Sequence, residues 1–165
     1  MTSDAQFQDL HATIDDFEHA RLCMERAAPI AGTDDDVTLL RALFNSALIS
    51  VRRVFRDSRS MAGKGKMHRP FTQAEAATML AKQSLDLDEY LRLADKFVAH
   101  SNRLEGERTV DIVSSDDDGS VTSEGHTMLP SKQQVDDLRR IATVLKMKSI
   151  MAMSSDDSRS AEVTD

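Results

Sequence analysis

Apolar residues recur every three to four positions along most of this chain, the spacing that brings side chains onto one face of a helix. Phe7, Leu10, Ile14, Phe17 and Met24 form a first stripe, opened by a Ser3/Gln6 capping box and closed by Pro29 and Gly32. A broader stripe joins Val37, Leu40, Leu43, Phe44, Ala47, Val51, Val54 and Phe55, and the pattern runs to about Ser60. Thr33 is placed to open that helix, with Asp34, Asp35 and Asp36 where the helix dipole favours negative charge. A Thr72/Glu75 capping box predicts a short helix to about Lys82. Ser84 or Asp86 then caps a helix whose apolar face is Leu87, Tyr90, Leu91, Ala94, Phe97 and Val98, ending between Asn102 and Gly106. Pro130, Ser131 and Gln134 open a last helix with Val135, Leu138, Ile141, Ala142 and Leu145 on its core face.

Two segments break the helical period. Met61 to Pro70 holds two glycines, a proline and several cations, which predicts a basic loop. Arg108 to Val113 alternates with β-branched residues and is followed by a turn-rich stretch, predicting a β-hairpin excursion over about 107–127. From residue 154 the chain is rich in Ser and Asp, and this composition predicts a disordered tail over 154–165. The expectation is a mainly α, four-to-five-helix bundle formed by a single domain over 1–153, with a small hairpin inserted before the last helix.

Composition narrows the class. The chain has 165 residues, 40% apolar and 30% charged, enough for one core and a solvated surface. With no Trp, one Tyr, six Phe and nine Met, that core is mostly aliphatic. One cysteine, Cys23, excludes an internal disulfide framework and fits a reducing compartment, so a cytoplasmic location is expected. No run approaches the roughly 20 apolar residues of a membrane span, and no membrane association is expected.

The net charge of −7 is unevenly spread. Residues 1–36 carry nine acids against Arg21 and Arg26, whereas residues 52–70 carry seven Lys or Arg against Asp57. Arg52, Arg56 and Arg59 share one side of the second helix, with Arg41 in the same sector, and Lys64, Lys66 and Arg69 follow. Forked guanidinium donors so placed can hold phosphates, which makes these six residues, Arg52 to Arg69, the candidate nucleic-acid contact. The same pattern also fits a charged helix end running into a solvated loop.

Other candidates carry less. His11, Asp15, His19 and Cys23 are spaced four apart and line up along the first helix, but one straight helix cannot wrap four ligands around a metal. Asp116-Asp117-Asp118-Gly119 invites a calcium-loop reading that places Asp116, Asp118 and Ser120 at ligand positions. It fails because the first ligand is Ser114 and the closing glutamate falls on Gly125. No metal or cofactor is expected. On the fourth helix, Arg92, Lys96 and His100 form an i, i+4, i+8 stripe. Histidine, titrating near neutrality, can act as general acid or base on a ribose 2′-hydroxyl, while neighbouring cations stabilise phosphate charge. The bland alternative is a helix-end histidine favoured by the C-terminal dipole.

Asp95-Lys-Phe-Val-Ala-His-Ser-Asn102 resembles the signature region of the HEPN superfamily (higher eukaryote and prokaryote nucleotide-binding domains), in its abortive-infection branch. Phe44 to Phe55 resembles the long helix preceding that region, and Leu129 to Leu138 the entry to the closing helix, so the likeness spans most of residues 5–150. The resemblance implies a helical bundle, commonly a homodimer, that cleaves RNA without metal through an arginine four to six residues before a histidine. Such proteins serve RNA-directed defence or act as toxins. His100 matches the histidine, and Asp95 the polar residue that follows the arginine. The arginine's own place falls on Leu93, Ala94 or Asp95, none of them basic, so the implied motif is impaired, with Lys96 or Arg92 as the phosphate partner. Beside this ribonuclease-like expectation stands a non-catalytic helical module that dimerises or binds a partner protein. Well behind it stands a metal-binding bundle built on His11, His19 and Cys23.

Overall fold

A computed structural model describes residues 4–33, 35–56, 69–103 and 129–161, with no side chains described for 4–5, 97–103 and 155–161. Among the described residues five helices follow in order: α1 (Asp4–Ala27), α2 (Val37–Phe55), α3 (Gln73–Ala81), α4 (Leu87–Arg103) and α5 (Lys132–Ala161). The chain is a helical bundle, mainly α, as its periodicity predicts.

α1 is the central element, packed along both α2 and α5. Asp16 pairs with Arg53, and His19 with Ser46, so α2 runs antiparallel to α1. Lys146 donates to Glu18 over 2.8 Å, and Gly32, just past α1, lies against the Lys132 side chain at the start of α5. α5 therefore also runs antiparallel to α1. Arg21 joins Lys146 on Glu18, and these hydrogen bonds pull that carboxyl down to about 2. α4 packs on α2, and α3 on α4.

The core is aliphatic, with Leu10, Met24, Leu48, Leu80, Leu138, Ile141 and Leu145 all nearly inaccessible. Three aromatics join α1, α2 and the entry to α3: the rings of Phe17, Phe55 and Phe71 lie pairwise 6.3 Å apart.

Local signals hold where their partners are close in sequence. Thr72 and Glu75 form the expected capping box, and so do Ser131 and Gln134. Asp86, not Ser84, caps α4 by accepting from the Glu89 N–H. Ser84 instead adopts a left-handed backbone, φ 57°, that closes α3. The Leu85 N–H then reaches the Leu80 carbonyl, and the Ser84 N–H that of Ala81.

Several expectations need correction. Thr33 does not open α2: its hydroxyl donates to the Ile30 carbonyl and so holds the preceding turn, and Asp36 is the cap. α2 stops at Phe55, short of Ser60, because Arg56 turns extended at ψ 125°. Phe7 is 45% exposed, its ring set edge-on to His11 at the start of α1 instead of in the core. α5 continues to Ala161, into the segment expected as a polar tail. The hairpin expected over 107–127, the basic loop up to His68, the Ser3 cap and the aspartate cluster at 116–118 lie outside the described residues. Among those described, no helix is long and apolar enough to cross a membrane.

Candidate nucleic-acid interface

α2 brings adjacent arginines to two different partners, because successive helical residues point about 100° apart. Arg53 turns to α1 and Arg52 to α4. The Nε of Arg52 donates to Asp95 Oδ1 over 2.7 Å, across 43 residues of sequence. The Arg52 side chain is 25% exposed and that of Asp95 57%, so the pair sits at the surface with the arginine stem packed and the carboxylate in water.

The predicted site residues gather around this contact to different extents. Arg92 lies three residues before Asp95 on α4 and Lys96 directly after it; both are exposed. Arg56, four residues after Arg52, is exposed at the end of α2. Its carbonyl accepts from Arg69 Nη2 over 2.6 Å, which places a cation at the negative end of the helix dipole. The backbone of His100 continues α4, while its side chain lies outside the described residues, as do Arg59, Lys64 and Lys66 entirely. Arg41 and Asn45 extend the same flank of α2, and each buries a polar atom, Nε and Oδ1, that has no hydrogen-bond partner. The rings of Phe17, Phe55 and Phe71 pack against one another, and among the described residues this surface offers cations and no aromatic platform for stacked bases.

The spacing that marks Arg52 as a candidate phosphate contact carries no sign that Asp95 holds it. The acid was visible in the chain, but nothing local ties position 52 to position 95.

Of the four-residue stripe on α1, His11, Asp15 and His19 are exposed and only Cys23 is covered. Cys23 is buried, with its Sγ 3.5 Å from His19 Nε2, and the same nitrogen lies 2.8 Å from Ser46 Oγ. Burial pushes the Cys23 thiol up from its ordinary value, against a hydrogen bond with Ser46, so the thiolate is disfavoured. His11 is exposed, with its ring against Phe7, and does not converge with this group. Among the described residues no three His, Cys, Asp or Glu side chains assemble to hold a metal.

These features define a helical bundle with a cationic seam where α2 meets α4. Comparison with family models, curated proteins and solved structures finds no match for this chain.

Proposed function

We propose that this chain is an HEPN-like helical protein of RNA-directed defence or toxin type, acting as a homodimer in the cytoplasm and cleaving RNA without metal through an impaired motif. His100 is its acid/base, Arg92 and Lys96 hold the phosphate, and Arg52, Arg56 and Arg69 extend the contact along α2. The observation that supports this reading is the Arg52–Asp95 contact. Through it, the arginine row of α2 lies against the stretch of α4 that leads to His100. The chemistry asked of these residues is modest. A histidine removes the 2′-proton, and fixed cations offset charge on the phosphorus oxygens as the 2′-oxygen attacks.

A second reading, a non-catalytic module that binds a partner protein, is favoured by two exposed side chains one turn apart on α5. Met147 is 52% and Met151 58% exposed. The absence of a basic residue at positions 93–95 points the same way.

Cleavage of a mixed panel of labelled RNAs in EDTA, by the wild-type chain and by His100→Ala, separates the two. Cleavage that disappears in the variant, with helical content and melting unchanged, supports the ribonuclease. No cleavage, or equal cleavage by both, sinks it and leaves the interaction module.

A further inference from the structure

We infer that Asp95 is a positioning residue for RNA: it holds the Nε of Arg52 so that the two terminal nitrogens of that guanidinium face a phosphodiester. The inference rests on the RNA-directed reading and adds to it a role for an acid inside a cationic site.

Three features carry it. First, the contact uses Nε alone, 2.7 Å from Asp95 Oδ1, and Arg52 has no other acceptor among the described residues. Its terminal fork, the pair of donors that matches two phosphate oxygens, stays open. Second, the Arg52 stem is largely covered while Asp95 is mostly in water. The guanidinium is thus held at Nε within a side chain that is still a quarter exposed. A side chain already ordered in this way loses less freedom on binding than one left to wander. Third, the surroundings are cationic. Arg92 and Lys96 flank Asp95 on α4, and Arg56 follows Arg52 on α2, all exposed. Asp95 is one carboxylate beside these three cations and Arg52, and a surface ion pair of this kind adds little to stability by itself. The ligand class is the phosphodiester backbone of single-stranded RNA, bound with little sequence preference because contact is by charge rather than by base edges.

The two accounts of Asp95 differ in sign. If it only adds negative charge, Asp95→Ala removes repulsion and RNA binds more tightly. If it positions Arg52, the same change weakens binding although the site becomes more positive. Fluorescence anisotropy with a labelled mixed-sequence single-stranded RNA reads the difference. The expected result is a loss of about three- to tenfold in affinity for Asp95→Ala, with most of it restored in Asp95→Asn, which keeps an acceptor oxygen. In an Arg52→Ala background, Asp95→Ala causes no further loss. Arg52→Ala alone lowers the slope of log affinity against log salt by about one. Helical content and melting of each variant are measured alongside, and the double-variant comparison is unaffected by a shared loss of stability. Asp95→Ala that binds as well as or better than wild type, or that loses the same factor without Arg52, overturns the positioning role alone. Wild-type protein that binds no RNA at low salt overturns the RNA reading and this inference with it.

Discussion

Arg52 and Arg53 are neighbours on α2, and each meets a carboxylate from another helix, yet the two pairs are built in opposite senses. At the α1–α2 seam the acid is covered: the Asp16 side chain is 12% exposed and its partner Arg53 is 66% exposed. At the α2–α4 seam the arginine is covered and the acid open, 25% for Arg52 against 57% for Asp95. Burial costs the group that loses its water. Asp16 therefore carries the penalty at the first seam. Desolvation raises its carboxyl above the ordinary value, and the charge of Arg53 offsets only part of that rise. At the second seam the carboxylate keeps most of its hydration, and the arginine is set against it through Nε alone. The first pair is thereby part of how α1 and α2 fit together. The second leaves charge available at the surface.

If that contrast is right, the largest losses of stability come from the α1 side. Phe17 is fully buried against Phe55 of α2 and Phe71 before α3. Phe17→Ala is expected to cost roughly 3–5 kcal/mol, read from urea denaturation. A loss under about 1 kcal/mol would mean that this seam is not the centre of the fold.

Next comes the buried acid. Arg53→Ala strips Asp16 of its counter-charge and is expected to cost about 1 kcal/mol at neutral pH, discounted because Arg53 is well exposed. The sign with pH follows from the direction of the shift. The folded carboxyl titrates above its ordinary value of 3.8, so the fold disfavours its charged form. Stability relative to a neutral side chain is therefore regained as pH falls through the folded value. Without Arg53 that value rises further, and the recovery begins at higher pH than in the wild type. Stability curves for Arg53→Ala and wild type that stay parallel from neutral pH to about pH 4 would contradict the account.

The same contrast shows how much was legible in the sequence. The capping boxes at Thr72/Glu75 and Ser131/Gln134 and the core face of α5 rest on residues three or four apart, so spacing alone locates them. The reading of α1 as one apolar stripe was incomplete because α1 packs between two helices. Asp16, Ala20 and Cys23 are buried on its second side, where a single-stripe pattern predicts solvent. The end of α2 also takes a partner distant in sequence, since Arg69 reaches the Arg56 carbonyl across 13 residues. Of the candidate site, the cations were readable from composition, and their arrangement was not. Which of two adjacent arginines faces α1 and which faces α4 depends on how three helices pack, and the pairing of 52 with 95 carries no signal along the chain.

The smallest effect on stability is expected where the proposed function is largest. Arg52→Ala breaks an ion pair whose carboxylate is already hydrated, so Asp95 is left in water and not in the interior. The cost is then the loss of one surface hydrogen bond and some packing of the arginine stem, about 0.5 kcal/mol. Urea denaturation of Arg52→Ala beside Arg53→Ala tests this directly, since the two changes remove the same side chain from successive positions of one helix. If Arg52→Ala costs as much as or more than Arg53→Ala, then Arg52 is held for the sake of the fold, and the openness of its fork has no functional meaning. If it costs less, the ordering of that side chain by Asp95 adds little to the bundle, as the proposed phosphate contact requires.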